Sequence, residues 1–546
     1  MVAPTDRVRA AFAHAWLGYE KHAFGADELL PVANRSSDNW GGLGITLLDS
    51  LDTMLLLGLD RPYERARTWA IQELPERIRL GGDIPFFEIT IRALGGLLGA
   101  HALRADPALL GVATQLGHAL MPAFTQSPSG IPYCTVHLQS GAASCPQTDL
   151  GESIPLAELG SVSLEFATLG AAIHEAQMAR LSDGALHAMR RLPALHGMYP
   201  TRIRPARGGP ASKEVGFGAG SDSFYETLLK RWIHGGKSQP SLLRMYRESL
   251  MGLRRLLRRS HPSSLLFVAR ANGGAVGAMP KSLALREANT FEHLTCFLPG
   301  MLALGAHHGA GLNSTWEWEV ARDLLDTCTA LYDRQPYGLG PERVVFVTEH
   351  SVGVAASEAA QSDRVYESYL GGTHDYDVVD SHWHLRPEYV ESLYVMWRLD
   401  RSTSGSETRR AEYRERGLRV LDAIERHCRI PSGYASVRLG RSGKVVHGER
   451  MESFFLSETL KYLFLLFAEP EDVPIDLDRY VLTTEAHALP VISSGAAEDD
   501  AASCTDEEGD GSGGGAKQLP PWWRDEAMLD EAFDISICAS FVTPLY

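Results

Sequence analysis

A chain of 546 residues, 44% of them apolar, can bury one very large core or two or three ordinary ones, which excludes a low-hydrophobicity disordered chain. A formal net charge of -16 excludes the basic footprint of a nucleic-acid-binding protein and leaves a neutral substrate such as a sugar open. No apolar run reads as long enough for a membrane span.

The first residues, MVAPTDRVRAAFAHAW, are charged early and lack the apolar stretch of a secretory signal, so the chain reads either as cytosolic or as an incomplete lumenal protein. The seven cysteines, Cys134, Cys145, Cys296, Cys328, Cys428, Cys504 and Cys538, include no CxxC pair, which excludes zinc ribbons and thioredoxin motifs. Their odd number leaves at least one thiol free or paired between chains. Acceptor triplets at Asn34 and Asn313 permit a secretory route.

Along the chain, apolar residues recur at three- and four-residue spacing over 164–180, 242–258, 412–427 and 453–467, and each run predicts a helix. Gly/Pro/Ser-rich punctuation (SPSGIP, RPARGGP, GFGAGS, QPYGLGPE) separates the helical runs, strand alternation is scarce, and no βαβ order is visible. The expected fold class is all-α. Residues 1–492 read as one domain. Residues 493–517 are acidic, Gly/Ser-rich and nearly free of large apolar side chains, as in a disordered insertion. Residues 518–546 regain apolar content and read as a tail that docks back.

Five segments carry carboxylates inside apolar text, where Asp and Glu are rare unless paired, hydrogen-bonded or catalytic. In PFFEITIRALGGLLGA, Glu88 and Arg92 are four apart and share a helix face, as an ion pair or as part of a site. In GFGAGSDSFYETLLKRW, Asp222 stands where a Gly-rich loop meets a helix, and capping by Asp222, with Ser223 and Glu226 as a capping box, explains it as well as catalysis does. In LRPEYVESLYVMW, Pro387 predicts a first turn, which places Glu388 where the helix dipole favours an ionised carboxylate; Glu391 follows one turn later. In MESFFLSETLKYLFLLF, Glu458 is surrounded by apolar residues and needs a partner. In VLTTEAHALPV, Thr484 offers hard oxygen ligands beside Glu485 and His487. The pairs His307/His308 and His382/His384 show no ligand cluster, and GFGAGS follows no strand, so neither a histidine-held metal nor a phosphate loop is expected.

The acidic segments recur every 60–80 residues or so, longer than solenoid periods. Helical hairpins in a closed ring, each delivering one acidic loop to a common centre, account for that interval. Carboxylates so gathered suit glycoside hydrolysis, which needs an acid and a base about the scissile bond, or a hard-cation site. The pattern alone does not choose a substrate.

From about residue 8 to 490 the chain resembles the class I α-mannosidases of glycoside hydrolase family 47, through HAWLGYEKHAFGADELLP, LLDSLDTMLLLGL, FEITIRALGGLLGA, GSVSLEF, DSFYETLLKRW, HLTCFLPGMLALGA, YGLGPE, LRPEYVES, ESFFLSETLKYLFLLF and TTEAH, all in order. The resemblance implies an (α/α)7 barrel with Ca2+ at the base of a funnel-shaped pocket, and inverting hydrolysis of α1,2-linked mannose from high-mannose N-glycans. By motif, Glu88 and Asp222 match the acid-side carboxylates and Glu388 the base. Thr484 matches the residue that binds calcium directly, while Glu391, Glu458 and Glu485 match carboxylates that hold calcium-bound waters and sugar hydroxyls. Phe454 matches the aromatic residue beneath the mannose, and Arg92, Arg386 and His293 match polar residues lining the pocket. Cys296 and Cys328 match the family's disulfide. The resemblance further implies a monomer in the lumen of the endoplasmic reticulum or Golgi, with a membrane anchor that this chain does not display. The sequence departs from the family's pattern at Gly220, where the endoplasmic reticulum type has an arginine contacting the glycan, at Thr483 and Ala488 in place of Asn and Pro, and at Glu292 in place of Asp. The alternative is a degradation-enhancing mannosidase-like protein that binds glycans with weak or no hydrolysis.

Overall fold

The computed structural model describes residues 2–192, 194–272, 289–349, 375–401, 405–440 and 443–492. The acidic insertion 493–517 and the tail 518–546, with Cys504 and Cys538, lie outside the described residues.

Two kinds of helix are present, and burial separates them. In Asp222–His234 twelve of thirteen residues are buried, whereas Asp60–Gln72 buries only Tyr63, Ala66 and Ala70, one narrow stripe. A helix apolar all round belongs inside and a striped one outside. The inner segments, in chain order, are Ile45–Asp49 with Leu51–Leu57; Phe86–Glu88, Ile89–Leu94 and Gly95–Arg104; Leu156–Gly160 with Ser163–Ala172; Asp222–His234; His293–Phe297 with Leu298–His307; Glu388–Leu399; and Phe455–Thr459 with Leu460–Phe467. Each packs on the next, and the last packs on the first. The striped helices Pro4–His22, Asp60–Gln72, Pro107–Leu120, Ala176–Met189, Pro240–Leu256, Ser314–Asp333 and Ser406–His427 form the outer layer. The fold is an (α/α)7 barrel, all-α apart from short antiparallel hairpins.

One end of the barrel is plugged. The hairpin Tyr480–Leu482 and Ala488–Pro490 enters it and touches the Gly95–Arg104, Ser163–Ala172 and Asp222–His234 helices. Glycine makes that insertion possible. A Cβ on Gly95 would stand 2.6 Å from the His487 ring, and one on Gly96 would stand 2.2 Å from the Leu48 carbonyl oxygen. Glycine inside a helix costs about 1 kcal/mol relative to alanine; here it allows the backbones to close.

Several expectations change. The predicted 164–180 helix is two helices, broken at Ile173–Glu175, where His174 takes φ +58. The break was hidden because the two pieces pack on each other and keep their apolar spacing. Phe86–Arg104 is long and apolar enough to span a membrane by length and composition, against the first reading. Its window is 72% buried within the barrel, so its apolarity is that of an inner helix. Asp222 makes no capping bond to the second or third residue beyond it; its Oδ1 accepts from the adjacent Ser223 N–H, and Glu226 pairs with Lys230 instead of completing a capping box. Pro387 precedes the helix, and Glu388 opens it. GFGAGS does follow a two-residue strand, Glu214–Val215, yet its backbone is already engaged: Ala219 N–H donates to the Glu292 carboxylate, which Arg270 also holds. A phosphate has no place there. Cys296–Cys328 is a disulfide tying an inner segment to an outer helix, Cys134–Cys145 is a second one not anticipated, and Cys428 is a buried free thiol.

Candidate active site

Opposite the plug, a cavity of about 320 Å³ opens into the barrel. Glu88, Arg92, Asp222, Arg386, Glu388, Glu391, Phe454, Glu458, Thr484 and Glu485 all line it, so residues spread over some four hundred positions converge on one pocket. Inner-helix starts and the residues just before them, two π-helical turns and the tip of the plugging hairpin deliver them. Arg92 lies in the π segment Ile89–Leu94 and Glu458 in Phe455–Thr459; such wide turns commonly mark functional positions in helices. His293 is the exception. It stands behind the wall, 1% exposed, with Nδ1 2.8 Å from Glu388 Oε2 and Nε2 2.7 Å from the Tyr332 hydroxyl.

Asp222 and Glu388 are pushed in opposite directions. Burial raises Asp222 to about 7, opposed by the Ser223 N–H and reinforced by Glu388, Glu292 and Glu226. Burial also works against ionised Glu388, but the His293 hydrogen bond and the charges of Arg386 and His293 win, and its carboxyl falls below the ordinary value. At neutral pH the pair therefore has one carboxyl able to hold a proton and one able to take one.

Arginines frame the pocket. Arg92 Nε donates to Glu88 Oε2 at 2.8 Å, the face-sharing pair expected from their spacing, and its Nη1 donates to Glu485 Oε1 and Ser453 Oγ, each at 2.8 Å. Arg386 grips Glu342 with two bonds of 3.0 and 2.7 Å. Both guanidiniums lie against the Phe454 ring, at 5.5 and 5.7 Å from its centroid.

At the hairpin tip, the Thr483 hydroxyl accepts from the Glu485 and His487 N–H groups at 3.3 and 3.1 Å. That is the turn-closing role an Asn side-chain oxygen plays, which accounts for Thr at this position. His487 lies fully buried between Asp49, at 3.1 Å, and Asp52, at 3.2 Å. Lys461 bonds Asp52 twice at 3.0 Å and the Ala486 carbonyl at 2.7 Å. On the other side Lys230 pairs with Glu226 and reaches the Thr483 carbonyl at 3.4 Å. Asp49, Asp52, Lys230, Glu342 and Lys461 went unmarked in the sequence, and Glu226 was read only as part of a capping box; for Asp49, Asp52 and Lys461 the one available signal was a charged residue in an apolar run, as in LLDSLDTMLLLGL.

The pocket floor holds more negative charge than its cations balance. Burial, then Glu485, Glu388 and Glu391, drive the Glu458 carboxyl well above the usual range; Glu391 rises to about 8 despite Lys230; and Glu485 rises although Arg92 pulls against it. These carboxylates and the Thr484 oxygens form an all-oxygen donor set suited to a hard divalent cation, which would relieve the repulsion.

A family model described as glycosyl hydrolase family 47 matches residues 11–491. The chain belongs to glycosyl hydrolase family 47. Among the family 47 relatives it resembles, the human endoplasmic reticulum mannosyl-oligosaccharide 1,2-alpha-mannosidase is 38% identical over 485 residues, which is 88% of this chain and 63% of that protein. A mannosyl-oligosaccharide 1,2-alpha-mannosidase of Arabidopsis thaliana is 34% identical over 516 residues, covering 89% of this chain and 78% of the relative. The solved structure of an alpha-1,2-mannosidase from Trichoderma reesei superposes with TM-score 0.75 at 27% identity, covering 90% of this chain and 99% of that one.

Proposed function

We propose that this family 47 chain is a calcium-dependent, inverting α-mannosidase that removes terminal α1,2-linked mannose from high-mannose N-glycans. The observation that carries the reading is the pairing of Asp222 and Glu388 in one cavity with oppositely shifted carboxyls. Inversion requires a base that activates water on one side of the sugar and an acid that protonates the leaving oxygen on the other. Glu388, held ionised by His293 and Arg386, takes the water proton. Asp222 supplies the proton to the leaving group, and Glu88, fixed by Arg92, orients that transfer. Phe454 offers an apolar face to the sugar ring, and Arg92 and Arg386 hold that face in place while directing charge into the pocket.

Thr484 would hold calcium directly, with Glu391, Glu458 and Glu485 acting through its waters. When bound, the ion supplies positioning of sugar hydroxyls and electrostatic support for developing charge. The substrate is supported by both relatives' names, and the secretory-lumen location by the endoplasmic reticulum in the human relative's name. The chain acts as a monomer in this reading. A purely glycan-binding role has no use for an acid and a base together.

Gly220 bears on which mannose is accepted. It lines the cavity with φ +84, and a Cβ there would meet nothing nearer than the Thr201 carbonyl oxygen at 3.8 Å. The wall is open at this point, which supports tolerance of more than one branch. The test is incubation of the purified protein with a nine-mannose N-glycan, with calcium and with a chelator, the products being resolved by mass and isomer. Calcium-dependent loss of successive hexoses, with more than one isomer formed, is expected. Intact, folded protein that binds the glycan and releases nothing overturns the assignment.

A further inference from the structure

Where the Leu298–His307 helix ends, two adjacent histidines meet the loop that leads into the plugging hairpin. His307 Nε2 is 2.8 Å from Asp478 Oδ1, and His308 Nε2 is 3.3 Å from the Leu477 carbonyl oxygen. The rings are nearly perpendicular, with centroids 4.9 Å apart. One ligand atom from each of His307, His308 and Asp478 falls within 4.8 Å of the others. None of the three lines the catalytic cavity.

We propose that His307, His308 and Asp478 form a second metal site, for a transition-metal dication such as zinc, separate from the oxygen-lined floor of the catalytic pocket. The donor chemistry separates the two. Two imidazoles and one carboxylate suit zinc and its neighbours, whereas calcium takes oxygen ligands. A tetrahedral zinc with bonds of about 2.0–2.1 Å spaces its ligand atoms by about 3.3 Å. The His307–Asp478 pair is already inside that spacing, and His308 completes the set by turning its ring from the Leu477 carbonyl, leaving the fourth position to water. Two features prepare the site. The carboxyl end of a helix favours a cation, and the Asp476 carboxylate accepts the Asp478 N–H at 3.0 Å, which fixes the loop's shape. Lys237 opposes it in charge, but its ammonium points to the His308 carbonyl, at 3.4 Å. A metal here would fasten an inner helix to the segment entering the Tyr480–Pro490 hairpin, whose tip carries Thr484. It would act as a clasp on the barrel floor.

The site is independent of the proposed hydrolysis, and its test is a binding measurement. Full-length protein in saturating calcium is titrated with zinc chloride by calorimetry and with cobalt chloride by visible absorption, alongside His307→Gln and Asp478→Asn. The expected result is one equivalent of zinc, cobalt bands characteristic of imidazole ligation, and a rise in Tm with zinc. Affinity should fall more than about tenfold in each variant, a loss that even an outer-shell change can bring, while Tm without zinc stays near wild type. Wild-type protein that takes up no zinc, or variants that bind it as tightly, would overturn the site.

Discussion

Glu388 keeps its charge in a buried position because His293 donates to it from behind, and the pH behaviour of the enzyme should report that bond. Replacing His293 with Ala leaves burial unopposed by its largest counterweight. The Glu388 carboxyl rises, and the acid limb of kcat/KM should move to higher pH, read from a pH–rate profile; an unmoved limb would remove His293 from the mechanism. In the proposed mechanism the other limb belongs to Asp222. A donor raised to about 7 loses the proton it must give as pH rises through that value, so activity should fall on the alkaline side near neutrality, and Asp222→Asn should abolish that limb along with most of the rate. Glu388→Gln should lower kcat by about 10³-fold or more, with glycan binding retained by calorimetry, since only the proton acceptor is lost. The Glu88–Arg92 pair was legible because four residues on a helix is a local relation. His293 and Glu388 are 95 residues apart and His487 and Asp49 are 438 apart, so no local pattern links them.

The plugging hairpin is held by charges as much as by packing. His487 lies between two fully buried aspartates, so its imidazolium is favoured and its pKa is raised despite desolvation. Asp49 and Asp52 are lowered although burial acts against them, through His487 in both cases and Lys461 at Asp52. A raised histidine contributes stability in full below its unfolded value of about 6.5, and that stability is lost as pH rises through the folded value. The aspartates contribute above their unfolded value of about 3.9, and lose it as pH falls through their lowered folded values. Urea unfolding against pH should therefore show a plateau between these windows. His487→Phe should remove about 3–5 kcal/mol, the cost of leaving buried partners unpaired, and should flatten the alkaline decline. The hairpin itself was not legible: VLTTEAHALPV has too little alternation to announce strands, although Thr484 and Glu485 stood out in it as hard oxygen donors, and the family resemblance supplied their separate roles. The 164–180 run shows the opposite failure, a periodicity that continued across a real turn at His174.

Ring closure sets the behaviour of the molecule as a whole. The regular return of acidic segments pointed to a ring, but its seven-fold count came only from the resemblance, because which helix lies inside depends on neighbours far along the chain. Cys296–Cys328 closes a sequence separation of 32 residues between the two layers. Cys296→Ser with Cys328→Ser should lower stability by about 2–4 kcal/mol in denaturant titrations, while leaving the cavity's residues untouched. Calcium should raise Tm in proportion to the logarithm of its concentration above Kd, and a chelator should reverse the gain. Constant Tm across that range would exclude a floor-bound ion.

The first helix and the last inner helix are partners: Pro4–His22 packs on Leu460–Phe467. A ribosome emitting about 5–20 residues per second delivers that partner roughly 20 to 90 seconds after the helix emerges. For that interval the helix has Phe24 beside Trp16 and Tyr19 but lacks the Leu460–Phe467 face that it finally packs on. The nascent chain thus carries an open seam for most of its synthesis, and the plugging hairpin is the last element of the described barrel to be made. A message cut short before codon 460 yields a protein with neither the plugging hairpin nor the helix that covers Pro4–His22, so the truncated product should be inactive and should present that open face to chaperones.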